Sequence, residues 1–124
     1  MNNVGIVLIS HSPKIVEGIQ DILTQVVKNV PIGVAGGTDE NEIGTSIEKI
    51  VAAINQVHNE NGVILLYDLG SAMMNAELAF ELTGYKNIKI AENIPLVEGA
   101  YIAAVESSMG NDIEKIIRSL RESF

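Results

Sequence analysis

Val4-Gly5-Ile6-Val7-Leu8-Ile9-Ser10-His11-Ser12-Pro13 decides how the rest of the chain is read. The apolar run predicts a buried strand over about residues 3–9. Ser12-Pro13 predicts a helix start, with Ser12 at N-cap and Pro13 at the first helical position. His11 therefore falls where a strand ends and a helix begins. In an open α/β sheet that edge is where ligands bind. An imidazole held there can serve as nucleophile, acid, base or metal ligand.

Outward from this stretch, strands and helices alternate. A helix is expected over about 13–28, with Ile15, Val16, Ile19, Ile22, Leu23, Val26 and Val27 as one apolar stripe. A second strand is expected at Ile32-Gly33-Val34-Ala35. A second helix should start near Thr45, where Thr45 and Glu48 have capping-box spacing. Its buried face is Ile47, Ile50, Val51, Ile54 and Val57. Val63-Ile64-Leu65-Leu66-Tyr67 is a third strand, unbroken in its apolar character and so buried on both faces. A third helix should run from Ser71 to Leu82, with Gly84 ending it. A fourth strand spans Asn87 to Ala91. Two helices close the chain, at about 96–108 and 112–122, with Gly110 between them.

This pattern predicts an α/β fold. The expected architecture is an open, mainly parallel sheet of four strands, or five, with helices on both faces. The loops that follow the strands then gather at one edge. They bring together Ser10-His11-Ser12, Gly36-Gly37-Thr38-Asp39, Asp68-Leu69-Gly70-Ser71 and Glu92-Asn93-Ile94-Pro95.

Composition narrows the chemistry. The 124 residues suit a single domain over 1–124. Hydrophobic residues make up 47%, with only three tyrosines and two phenylalanines, so the core must be aliphatic. The mean hydropathy is +0.25. With no cysteine, disulfides, thiolate metal sites and cysteine nucleophiles are excluded. That absence fits a reducing cytoplasm. The N-terminal apolar run is too short to span a bilayer, and no basic segment precedes it as in a signal peptide. The net charge of −8 argues against nucleic acid and anionic membranes, because phosphate neutralisation needs clustered Lys and Arg. It suits a basic protein partner, although solubility alone explains it equally well.

Among the edge residues, His11 and Asp68 form the candidate catalytic pair. A carboxylate after the third strand can accept a hydrogen bond from Nδ1–H of His11, leaving Nε2 unprotonated as nucleophile. The plainer reading of Asp68 is a turn or cap residue, and both can hold together. Ser12, Gly37, Thr38 and Ser71 are the candidate phosphate-binding residues. Two helices begin here and offer free N–H groups, and Gly36-Gly37-Thr38 adds flexible backbone and a hydroxyl. These loops contain no Lys or Arg. Neither a Walker A motif nor a dinucleotide-binding glycine pattern is present, so this chain is not expected to hold a nucleotide alone. No metal site is expected, because two histidines and no cysteine are too few ligands for zinc. His58, near the end of the second helix, should lie at the opposite edge in a structural or solvent-exposed position. A Ser–His–Asp hydrolase would need a serine held by His11. Ser10, Ser12 and Ser71 are nearby, but none lies in a nucleophile-elbow motif.

Taken together, Ser10-His11-Ser12, Gly36-Gly37-Thr38-Asp39, Ile43-Gly44-Thr45-Ser46, Asp68-Leu69-Gly70-Ser71-Ala72 and Pro95-Leu96-Val97-Glu98-Gly99 carry a resemblance. In order and spacing they resemble the phosphotransferase subunits of the phosphoenolpyruvate-dependent dihydroxyacetone kinases, the DhaM family. That family is similar to the IIA domain of the mannose class of the bacterial sugar phosphotransferase system. The resemblance covers essentially the whole chain and implies a phosphohistidine relay. His11 would take a phosphoryl group from phospho-HPr and pass it to ADP held by a separate kinase subunit. The regenerated ATP would phosphorylate dihydroxyacetone on a third subunit. By the same resemblance Asp68 orients His11, this chain binds no cofactor of its own, and ADP or ATP sits on the partner. A homodimer and a cytoplasmic location are also implied. Some relatives carry HPr-like and enzyme I-like domains. This chain ends after the IIA-like part, so HPr is expected as a separate donor.

Three rival readings remain. A receiver-like signalling domain would be phosphorylated on Asp68 and would have acidic metal-binding residues after the first strand, where this chain has Ser10-His11-Ser12. A non-catalytic binding module would hold an anion at the same edge without covalent chemistry. A mannose-class IIA domain would serve sugar transport instead of the kinase.

Overall fold

The computed structural model describes residues 3–124. The opening apolar run forms β1 (Gly5–Ser10), buried at every position. A strand covered on both faces belongs in the middle of a sheet. β1 pairs in parallel with β2 (Ile32–Gly36) on one side and β3 (Val63–Tyr67) on the other. β4 (Ile88–Ile90) joins β3, also in parallel, and the order is β2-β1-β3-β4. The sheet thus has the four strands expected, and the fourth is shorter than Asn87 to Ala91.

The helices are α1 (Pro13–Val26), α2 (Ile47–Val57), α3 (Ala72–Thr83), α4 (Leu96–Ser108) and α5 (Ile113–Ser123). Side chains alternate across each strand and so build two cores. Ile6, Leu8, Ile64 and Leu66 pack with Val16, Ile19 and Leu23 of α1, Ala100 and Ala103 of α4, and Ile116 and Leu120 of α5. On the other face, Val7, Ile9, Val63 and Leu65 meet Ile50 and Ile54 of α2 and Ala72, Ala76 and Ala79 of α3. Among the described residues no helix is long and apolar enough to cross a membrane.

Several local expectations need correction. α1 stops at Val26, because Val27 is already extended. Pro31 lies one residue before β2, so the chain has to leave the helix early. The broad apolar stripe of α1 also divides. Val16, Ile19, Leu23 and Val27 are buried, whereas Ile15, Ile22 and Val26 are each about half exposed. A helix lying on a sheet buries one stripe of its circumference, and the flank stays outside. α2 begins at Ile47, capped by Ser46, whose Oγ accepts the Lys49 N–H at 3.1 Å. The expected Thr45 capping box does not form. Thr45 Oγ1 instead accepts from Asn75 Nδ2 of α3 at 2.6 Å, so a tertiary partner displaces the local cap. α3 begins at Ala72 and ends, as expected, at Gly84 in a left-handed conformation (φ 72°).

Candidate active site

The strand order reverses around β1. β2 lies on one side of it, and β3 and β4 lie on the other. The crevice beyond the carboxyl ends of β1 and β3 is the switch point of the sheet, where α/β proteins bind ligands. The register places Ile9 beside Tyr67, so the residues that follow, His11 and Asp68, emerge together. The Asp68 N–H donates to Ile9 O at 3.1 Å, which fixes that alignment.

The Asp68 carboxylate accepts four hydrogen bonds. Oδ2 takes the Ser10 hydroxyl at 2.8 Å and the His11 backbone N–H at 3.0 Å. Oδ1 takes the Leu69 N–H at 2.7 Å and faces His11 Nδ1 at 3.0 Å. Burial pushes the Asp68 carboxyl up, but the bonds from the His11 N–H, Ser10, the His11 ring and the Leu69 N–H outweigh it. The carboxyl therefore lies below its ordinary value. An ionised carboxylate only accepts, so Nδ1 must carry the proton. In the neutral ring Nε2 then holds the lone pair. Ser71 Oγ lies 2.9 Å from Nε2 and donates to it. The His11 and Asp68 side chains are 21% and 17% exposed, so both are half-buried and the ring remains open to a reactant at this edge.

Ser71, His11 and Asp68 thus line up as a hydrolase triad would. The oxyanion donor that such an enzyme takes from the residue after the nucleophile is engaged here, because the Ala72 N–H donates to Leu69 O at 2.9 Å. The N–H groups of Gly70 and Ser71 have no acceptor among the described residues. Ser71 stands at the N-cap position of α3 but makes no side-chain cap bond, and its hydroxyl goes to the imidazole.

The other candidate residues frame this centre. Ser12 is the N-cap of α1, with extended backbone and no side-chain cap bond, and its N–H donates to Ser10 Oγ at 3.0 Å. The Gly37 N–H donates to Ser10 O, and the Thr38 N–H donates to Glu42 O. Thr38 Oγ1 accepts from the Glu42 N–H, which leaves its own proton to give. The glycine pair has a packing reason. A Cβ on Gly36 would strike Pro13 and Val16, and Gly37 has a φ of 78° against Pro13. The loop returns through Gly44, whose N–H donates to His11 O at 2.9 Å.

Two residues at this edge carry roles that sequence reasoning did not assign. Ser10 is fully buried and ties Asp68 to the turn after β1. A hydroxyl at the end of an apolar strand was the available signal. Lys49, on the first turn of α2, reaches back to Gly36 O at 2.9 Å and Asn41 Oδ1 at 2.6 Å. The loops themselves lack Lys and Arg, yet a cation from the helix braces one of them. Nothing distinguishes Lys49 in the sequence from a solvated helix lysine. His58 lies at the far edge, where it stacks on Tyr85 at 3.6 Å and meets Asn87 Oδ1 at 2.8 Å.

The EIIA-man family model, described as the PTS system fructose IIA component, matches residues 5–117. The chain belongs to the EIIA-man family. The chain is also similar to subunits of dihydroxyacetone kinases. The DhaM phosphotransferase subunit of a PTS-dependent dihydroxyacetone kinase from Lactococcus lactis is 39% identical over 118 residues, 95% of this chain and 94% of that protein. The phosphoryl donor subunit DhaM of the PEP-dependent dihydroxyacetone kinase 1 of Listeria innocua is 38% identical, over 94% of this chain and 92% of its own length. Among solved structures, a protein of unknown function called EF1359 matches with a TM-score of 0.85 and 30% identity, covering 98% of this chain and 95% of its own. The EIIA-man match spans the sheet, α1 to α4 and the first part of α5, and includes both His11 and Asp68.

Proposed function

We propose that this protein is the phosphoryl carrier of a phosphoenolpyruvate-dependent dihydroxyacetone kinase. It accepts phosphate on His11 from phospho-HPr and delivers it to ADP on a separate kinase subunit. One observation carries the reading. His11 has Nδ1 held by Asp68 and Nε2 turned to the reachable edge of the sheet, in a chain whose relatives are DhaM subunits.

The chemistry follows from the tautomer. The Nε2 lone pair attacks the phosphorus of the donor phosphohistidine. The new Nε2–P bond forms as the donor's N–P bond breaks, and that electron pair returns to the donor ring. His11 keeps its Nδ1 proton and becomes cationic on the ring, which the Asp68 carboxylate offsets. Ser71 Oγ–H turns from Nε2 to a phosphoryl oxygen. The Gly70 and Ser71 amides and the hydroxyls of Ser12 and Thr38 supply further donors, while Gly37 contributes by letting its loop approach Pro13. Delivery reverses the step. A β-phosphate oxygen of ADP attacks the phosphorus, the Nε2–P bond breaks, and ATP leaves with the kinase subunit. This chain binds no cofactor in that scheme, works in the cytoplasm and acts as a homodimer. Ile43, Leu69 and Met74 are exposed on the loops and first helical turn flanking His11, and they suit protein docking.

The receiver-like alternative is less well supported, since both Asp68 oxygens are engaged and neither is presented as a nucleophile. The deciding experiment is intact-mass analysis after incubation with phosphoenolpyruvate, enzyme I and HPr, with acid and base treatment in parallel. One acid-labile, base-stable phosphoryl group localised to His11 is expected. His11→Ala should keep the circular dichroism of the parent and gain no phosphate. A base-labile group on Asp68, or transfer retained by His11→Ala, would sink the proposal.

A further inference from the structure

We infer that Ser10 is a positioning residue for phosphoryl transfer: its buried hydroxyl fixes the Asp68 carboxylate so that the other oxygen is presented to His11 Nδ1. The inference rests on the carrier reading and names the residue that sets the histidine's tautomer from beneath.

The argument starts with direction. Ser10 Oγ has one proton to give. It accepts the Ser12 N–H at 3.0 Å, so that side of the oxygen is occupied, and its proton is directed to Asp68 Oδ2 at 2.8 Å. Ser10 is 0% exposed, so no water competes for that proton. A carboxylate rotates easily about its last bond, because that torsion is broad and two-fold. Here Oδ2 is pinned by two donors, Ser10 Oγ–H and the His11 N–H. Oδ1 is left for the Leu69 N–H and the imidazole. Removal of the Ser10 proton leaves Oδ2 with the His11 N–H alone and frees the plane of the carboxylate to tilt. The hydrogen bond that selects Nδ1–H then weakens, and the ring gains access to the Nε2–H tautomer, which has no lone pair at the attacking nitrogen. The same hydroxyl joins the turn after β1 to the carboxylate after β3, so one atom aligns the nucleophile's backbone with its partner. Ser10 touches neither donor nor phosphoryl group and acts through Asp68.

The test uses the full chain with Ser10→Ala, Ser10→Thr and Ser10→Cys. Long-range 1H–15N spectra of the His11 ring read the tautomer directly and need no phosphoryl transfer, so a failure of this inference is distinct from a failure of the carrier reading. The parent should show the Nδ1–H form, and Ser10→Ala should show a substantial Nε2–H share. Phosphorylation by phospho-HPr should then slow about tenfold in kcat, the scale of one lost hydrogen bond to a charged group, with KM for the donor unchanged. Ser10→Thr keeps the hydroxyl and should restore both the spectrum and the rate. If Ser10→Ala does not fold, Ser10→Cys, close in volume but a weak donor, should show the same shift in tautomer and kcat. The inference is overturned by a parent-like tautomer and rate in Ser10→Ala, or in Ser10→Cys if that variant has to stand in. A loss expressed only in KM, or one that a folded Ser10→Thr fails to rescue, would overturn it equally.

Discussion

At the scale of single residues, the decisive object is a carboxylate with four donors. Asp68 is held below its ordinary value despite burial, so its charged form favours the folded state. The sign follows from linkage. An unfolded Asp titrates near pH 4, and the folded one titrates lower. The stabilisation is therefore complete above the unfolded value and disappears as pH falls through the folded one. Asp68→Asn should be less stable than the parent at neutral pH, with the gap closing below about pH 4. Urea unfolding at a series of pH values measures this, and a gap that is constant with pH would remove the charge from the account. The same variant should transfer phosphate more slowly while still accepting it, because His11 remains. Unchanged kinetics would take Asp68 out of the mechanism.

At the scale of elements, small residues decide how closely helices approach the sheet. α3 presents Ala72, Ala76 and Ala79, and α4 presents Ala100, Ala103 and Ala104, all fully buried. Gly99 belongs to this pattern. A Cβ there would collide with Ile94 Cγ2 and lie 3.0 Å from Leu66 Cδ2. Gly99→Ala should cost about 1–3 kcal/mol by overpacking the contact between α4 and β3. Gly18 is the contrasting case. It lies inside α1, is exposed, and has nothing within 4 Å of an added Cβ. Gly18→Ala should stabilise by about 0.5–1 kcal/mol through helix propensity alone. Paired thermal melts test both. Equal effects would mean that backbone propensity, and not packing, governs these positions.

At the scale of the whole molecule, charge bears on encounter. The chain carries −8, and Asp39, Glu40 and Glu42 are exposed on the loop that returns to His11. Phosphoryl donors with a basic face should be steered to this edge. Phosphorylation at low donor concentration should slow as salt rises, because the Debye length falls to roughly 8 Å at physiological ionic strength. A rate independent of salt would leave the acidity with solubility alone.

The local pattern was legible because it depends on near neighbours. The apolar runs of β1 and β3, the glycine at the end of α3 and the β/α alternation determined the fold class and placed His11 at the carboxyl edge of the sheet. The pairing of Asp68 with His11 was also legible, since parallel neighbours bring their following loops together. Tertiary structure decided whatever depends on competing partners. Thr45 lost its cap role to Asn75, and Ser46 took it over. Ile15, Ile22 and Val26 of the α1 stripe stayed outside because a sheet buries only one side of a helix. Ser71 reached the imidazole instead of capping α3, Ser10 came to lie beneath Asp68, and Lys49 braced the glycine loop. A side chain's hydrogen-bond partner is set by whichever group folding brings within reach, and in these cases that group comes from elsewhere in the fold.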